Sequence, residues 1–229
     1  MRIGALQKTS LIEFPGIISC IVFTQGCNFR CPYCHNPELV LPEKFTEIIP
    51  EGFFFSFLEK RKRYLEGVCI TGGEPTIHED IKDFIKKIKD MGYKVKIDTN
   101  GSNPEIIEGL LKENLIDYIS LDLKGPLEKY KIITGVEIET DKILKSIELI
   151  KNSEIDYEIR TTVVKKQILF EDFEKIGEII EGCKKYYLQK FIPSKHVNED
   201  FIKEQTYTDD EFHRIKEIMK KYVSFCEVR

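Results

Sequence analysis

No stretch of apolar residues in the sequence approaches the ~20 needed to span a hydrocarbon core. The opening residues, MRIGALQKTSLIEFPG, lack the apolar region and small-residue cleavage site of a secretory signal. Basic residues are not in excess: 35 Lys and Arg stand against 39 Asp and Glu, a formal net charge of −4. That balance argues against a general nucleic-acid or anionic-membrane binder. The one dense basic run, EKRKR (Glu59–Arg63), ends a helical pattern and reads as a solvated face. No linker rich in Pro, Gly or Ser, no low-complexity tract and no repeat divides the chain, so residues 1–229 read as a single domain. A cytoplasmic location is the expectation that follows.

Cysteine is present but unevenly spread. There are seven, an odd number. Cys27, Cys31 and Cys34 fall together in TQGCNFRCPYCHNPEL (Thr24–Leu39), spaced Cys-x3-Cys-x2-Cys. In a reducing compartment that favours metal binding over disulfides. Cys20, Cys183 and Cys226 are scattered and read as buried structural thiols, while Cys69 is assigned no role. With only Cys69 between Cys34 and Gly72, a single metal cluster is expected.

What fills the rest of the chain is an alternation of β-like runs and amphipathic helices. Candidate strands are Ile17–Thr24, Gly67–Gly72, Lys94–Thr99, Tyr118–Leu123, Tyr157–Val164 and Lys185–Ile192. A helical candidate covers 46–65, including EGFFFSFL (51–58), which reads as core before partner groove. Further helices carry Ile81, Phe84, Ile85, Ile88 and Met91, with Gly92 as a stop. Asn103-Pro104 reads as a helix start, and Thr208 with Glu211 as a capping box. Six βα units in series predict one α/β domain around a parallel sheet, wrapped as an open or closed barrel. The distinctive polar residues all follow strands, where such folds place their chemistry.

A [4Fe–4S] cluster has four irons, and three thiolates leave one of them open for a ligand. An open coordination position marks a catalytic metal site rather than a structural one. A zinc ion with His35 or a distant cysteine as fourth donor is the competing reading, although His35 is poorly placed to share a metal with its neighbour Cys34. The glycines of ITGGEP (Ile70–Pro75) permit close backbone approach, and Glu74 supplies a carboxylate that can accept from an ammonium group. Arg160, inside a β-branched strand, needs a partner or a polar interior.

Cys-x3-Cys-x-aromatic-Cys, with Tyr33 as the aromatic, resembles the signature of the radical S-adenosylmethionine (SAM) enzymes. The resemblance implies a partial (β/α)6 barrel and a [4Fe–4S] cluster on Cys27, Cys31 and Cys34. Its fourth iron would be chelated by SAM, which is cleaved to methionine and a 5′-deoxyadenosyl radical. It also implies SAM contacts from Gly72, Gly73 and Glu74. DTNG (Asp98–Gly101) and SLDLK (Ser120–Lys124) resemble motifs of the activating enzymes of glycyl radical proteins. They imply Asn100 and Lys124 as SAM contacts and Asp98 with Asp122 as ligands of a Na⁺ or K⁺. Arg160 is a further candidate for the SAM pocket.

That family has a histidine after its sixth strand. Here the region reads YLQKFIPSKH, so Gln189 or a folded-back His196 is the candidate stand-in, while His78 and His213 read as surface residues. The N-terminal forty residues, with FPG and YCHNPEL, resemble anaerobic ribonucleoside-triphosphate reductase activating proteins. That implies a glycyl radical enzyme as partner, an anaerobic ribonucleotide reductase, and an electron donor such as flavodoxin or ferredoxin. An enzyme resembling 7-carboxy-7-deazaguanine synthase is the alternative within the family. A non-catalytic iron–sulfur redox sensor is the alternative outside it, and it leaves GGEP, DTNG and SLDLK without a role.

Overall fold

The β-branched runs assemble, in this computed structural model, into one eight-stranded sheet in the order β1-β2-β3-β4-β5-β6-β7-β8. Residues 1–194 and 197–229 are described. The six expected strands are β2 (Ser19–Thr24), β3 (Gly67–Gly72), β4 (Lys94–Thr99), β5 (Tyr118–Asp122), β6 (Asp156–Val163) and β7 (Lys185–Lys190), all parallel. Two edge strands were not legible in the sequence. β1 (Ile3–Ser10) runs antiparallel to β2, pairing Ile3 with Thr24 and Ser10 with Ser19. Most of its side chains are only partly covered, so it lacks the alternation that betrays a half-buried strand. β8 (Phe225–Val228) adds four residues beside β7, too short for a periodic signal. β1 and β8 remain the two edges, so the sheet is a partial barrel.

Helices α1 (Pro37–Val40) and α2 (Glu51–Arg61) follow β2, α3 (Ile81–Asp90) follows β3, and α4 (Pro104–Lys112) follows β4. α5 (Tyr130–Thr134) and α6 (Thr140–Lys151) follow β5, while α7 (Asp172–Ile179) and α8 (Asp209–Met219) follow β6 and β7. α2 is shorter than the 46–65 pattern because Pro50 sets its start. Its Phe54 and Leu58 are buried and Phe54 stacks on Phe84 at 5.4 Å, so EGFFFSFL is largely core, with Phe53 left outside. The capping box of α8 forms as expected: Glu211 N donates to Thr208 Oγ1 at 3.3 Å and Thr208 N to Glu211 Oε2 at 2.8 Å. Among the described residues no helix is long and apolar enough to cross a membrane.

Parallel strands covered on both faces normally read as continuous apolar runs. Here only one face does. Val95, Ile97, Ile119, Leu121 and Ile159 join the apolar faces of the helices in a single core. The alternate residues carry charge, and the register stacks them: Asp98 beside Ser120 beside Glu158, and Asp122 beside Arg160. The concave face of the sheet is therefore a polar interior that opens at the C-terminal ends of the strands.

Candidate active site

The loop after β2 is fixed by backbone contacts to its neighbours before any ligand is considered. Glu74 N donates to Gly26 O at 2.8 Å, joining it to the loop after β3. Asn100 Nδ2 donates to Asn28 Oδ1 at 2.9 Å and Asn28 Nδ2 to Ser102 Oγ at 2.8 Å, joining it to the loop after β4. Arg30 N donates to Thr134 O at 2.7 Å, and Asn198 N to Pro32 O at 3.2 Å, adding the segments after β5 and β7. Gly72, at φ +114°, is a conformation that side chains resist, and a Cβ there would lie 2.4 Å from Thr24 N.

Cys27, Cys31 and Cys34 line one cavity of about 200 Å³ together with Glu74, Asp98 and Asp122. Tyr33, Gly72, Gly73, Asn100, Lys124 and Arg160 line the same cavity, so most of the predicted site converges. Burial pushes the Cys27 thiol up to about 12, reinforced by the Glu74 charge, and the Cys31 thiol up to about 11. Cys34 is raised too, again by burial. Among the described residues, no three His, Cys, Asp or Glu side chains converge on a point that would hold one metal ion. Thiolates spread around a cavity suit a cluster with one iron per sulfur better than a single zinc. His35 gives its Nε2 to a contact of 2.8 Å with Ile192 O.

Tyr33 is buried, edge-on to Phe191 at 6.4 Å. Its hydroxyl, inside the lining of this cavity, has no hydrogen-bond partner of sound geometry among the described residues. An orphaned buried hydroxyl beside three thiols fits a group still to be received.

Glu74 is buried, and its carboxylate organises the loops. Oε1 accepts from Thr76 N at 3.1 Å, Thr76 Oγ1 at 2.6 Å and Thr99 Oγ1 at 2.7 Å; Oε2 accepts from Asn100 N at 2.6 Å. Thr76 in turn accepts from Asn103 Nδ2 at 3.0 Å, so Asn103 uses its side chain here instead of capping α4. All four donors are neutral, and among the described residues no cation pairs with Glu74. Burial holds its carboxyl above the usual range against these hydrogen bonds. Oε2, with one donor, keeps room for another.

Asp98 and Asp122 differ from Glu74 in being paired with cations. Asp98 Oδ1 accepts from Lys96 Nζ and Oδ2 from Arg160 Nη2 at 2.9 Å. Asp122 Oδ1 accepts from Arg160 Nε and Oδ2 from Lys124 Nζ at 3.3 Å. Burial opposes ionisation of Asp98, but Arg160 and Lys96 outweigh it and hold the carboxyl below the usual range. Glu158 anchors the floor, accepting from Ser120 Oγ, Tyr118 OH and Arg229 Nη1 at 3.1, 3.1 and 3.2 Å.

Gln189 stands apart. It pairs with Thr162 across β6 and β7 and accepts from Thr162 Oγ1 at 3.3 Å, which puts it beside a lining residue on the same face of the sheet but outside the lining itself. His196 lies outside the described residues. His213 is exposed as expected, whereas His78 is half-buried beside Gly26. Cys20, Cys183 and Cys226 are buried free thiols, as expected, and Cys69 is buried too. Sequence reasoning missed Lys96, Glu158, Thr99 and Asn28. Alternation in KVKIDT was the available signal for Lys96, since a lysine in step with Asp98 must share its face.

Comparison with known proteins extends this picture. A model of the radical SAM superfamily matches residues 21–180. A Methanocaldococcus jannaschii protein, provisionally named a glycyl-radical enzyme activating enzyme, is 36% identical over 99% of this chain and 95% of its own. The pyruvate formate-lyase-activating enzyme of Clostridium pasteurianum is 31% identical over 84% of this chain and 81% of its own. A domain of a pyruvate-formate lyase-activating enzyme from Bacteroides vulgatus superposes with a TM-score of 0.56 at 19% identity, covering 71% of this chain and 98% of that domain, and supports the fold. Family match and full-length similarity agree with the cysteine-lined cavity: the chain belongs to the radical SAM superfamily, among the glycyl-radical enzyme activating enzymes.

Proposed function

We propose that Cys27, Cys31 and Cys34 hold one [4Fe–4S] cluster, that Glu74 and Lys124 hold SAM, and that the chain abstracts a glycine Cα hydrogen from a partner glycyl radical enzyme. The partner is an anaerobic ribonucleotide reductase, and a flavodoxin or ferredoxin supplies the electron. One observation carries the reading: three thiols and a buried carboxylate without a cation face the same cavity. When bound, the two cofactors supply reductive cleavage of a sulfonium and a carbon-centred radical.

The chain's own residues do the rest. Gly72 and Gly73 bring the backbone close to the amino-acid portion of the ligand. Glu74 Oε2 accepts from its ammonium, a charge-assisted bond worth roughly 1.5–3 kcal/mol. Lys124 and Arg160, both lining the cavity, face its carboxylate. Asn100 ties this loop to Asn28 and so keeps the thiols in register with Glu74.

A macromolecular target is supported by the ground around the cavity. Two open grooves, of about 690 and 570 Å³, flank the cysteine loop and share Pro32 and Asp200. Cys31 and Cys34 border both the cavity and the larger groove. Ile132 and Leu169, exposed, rim the smaller one. An extended glycine-bearing loop fits such a path, and a glycine offers no side chain to block entry. Reduced protein with SAM should raise a doublet glycyl radical signal in a reductase-like partner. Deuterium on the glycine Cα should appear in 5′-deoxyadenosine; if it never does, a small-molecule substrate replaces this reading.

A further inference from the structure

Lys96 is a lysine in the middle of a buried strand, with 1% of its surface exposed. Its ammonium pairs with Asp98, lies 3.9 Å from Cys69 Sγ and sits over the Tyr118 ring at 5.9 Å. Arg160, 12% exposed, reaches from β6 to both aspartates. Lys96, Asp98, Arg160, Asp122 and Lys124 thus form one chain of alternating charge, beginning and ending on a cation.

A Na⁺ or K⁺ beside SAM, which the family resemblance implies, takes oxygen ligands. Here each of the four carboxylate oxygens of Asp98 and Asp122 accepts from a lysine or arginine nitrogen, and Lys96, Arg160 and Lys124 set three positive charges against two negative ones. These residues do not fit an inorganic cation. An added ion would meet a group that is already net positive and would compete with Arg160 for Asp98, which is buried, and for Asp122, which is partly so.

We infer that Lys96 and Arg160 take the place of the inorganic cation, so that this site receives the SAM carboxylate without Na⁺ or K⁺. The inference rests on the SAM reading above. Arg160 and Lys124 present positive charge to the cavity, and Lys96, one residue further in, neutralises Asp98 so that this charge is not spent inward. Lys96 is a positioning residue, acting through Asp98.

The test is SAM binding by the reconstituted holoprotein, by equilibrium dialysis, in sodium, potassium and tetramethylammonium chloride at equal ionic strength. Affinity should agree within about twofold across the three salts, and a loss of about tenfold in tetramethylammonium would overturn the inference. Lys96→Met frees one oxygen of Asp98, so this variant should gain a dependence on Na⁺ or K⁺ of about tenfold. A folded Lys96→Met protein with no such dependence also overturns it. Thermal melting of the holoprotein without SAM gives a readout independent of both binding and activity. Equal midpoints in the three salts support prefilled carboxylates, and a saturable stabilisation by Na⁺ or K⁺ that Asp98→Asn removes refutes them. Failure to bind SAM in any salt would instead remove the proposed function.

Discussion

The carbonyl oxygen of Gly26 lies 1.9 Å from the point that a Cβ on Gly73 would occupy. No real Cβ approaches a carbonyl so closely, so the loop after β3 and the start of the cysteine loop interlock through missing side chains. Gly73→Ala should therefore separate the thiols from Glu74. The variant is expected to keep its helical circular dichroism but lose most of its iron after reconstitution. Gly52→Ala is the control, since nothing lies within 4 Å of its Cβ; there a helical alanine should stabilise by about 0.4–1 kcal/mol. Normal iron content in Gly73→Ala would refute the interlock.

Alanine at Cys27, Cys31 or Cys34 should each abolish a cluster of about four irons per chain. Cys183→Ala, which removes a buried thiol outside the cavity, should retain it. Iron and sulfide analysis with the visible absorption of the reconstituted variants decides between the two sets. About eight irons in the wild type would mean a second cluster.

Glu74→Gln keeps the shape of the side chain and removes its charge. SAM affinity should drop by roughly tenfold or more while iron content stays. The pH dependence has a definite sign. Burial raises the Glu74 carboxyl, and only the ionised form attracts an ammonium, so wild-type affinity should fall as pH descends into that raised range. Glu74→Gln should flatten the profile. Glu74→Ala is a poorer test, because it also leaves Thr76, Thr99 and Asn100 donors unpaired.

Arg160→Met should destabilise the chain by on the order of 3 kcal/mol at neutral pH, by uncovering Asp98 and Asp122. Asp98 is held below the usual carboxylate range in the folded state. Its contribution is thus complete above the unfolded value near pH ~4 and is lost as pH falls through the folded one. In the variant the aspartates take up protons more readily and relieve themselves. The difference from wild type should therefore shrink on acidification, as urea unfolding at several pH values would show.

The core strands were legible because their helix-facing residues are apolar and often β-branched, as Val68 and Ile70 are in GVCITG. β1 and β8 were not, since an edge strand keeps one row of groups outside the sheet and carries a mixed pattern. The cysteines announced themselves by local spacing. Glu74 was found by its neighbours in sequence, but of its four internal donors only the two on Thr76 are local, while Thr99 and Asn100 come from the end of β4 and the loop after it. The pairing of Asp98 and Asp122 through Arg160 depends on register across β4, β5 and β6, a relation between residues 62 and 38 positions apart. No local pattern in DTNG or SLDLK shows that one guanidinium reaches both aspartates.

The backbone ties of the cysteine loop to Glu74, Thr134 and Asn198 bear on how the protein is matured in the cell. None of these ties involves a thiol: they run through peptide groups, and the side-chain amides of Asn28 and Asn100 add to them. Maturation of the site therefore depends on several loops closing together, and a change in any one of them reaches the sulfurs without touching a cysteine.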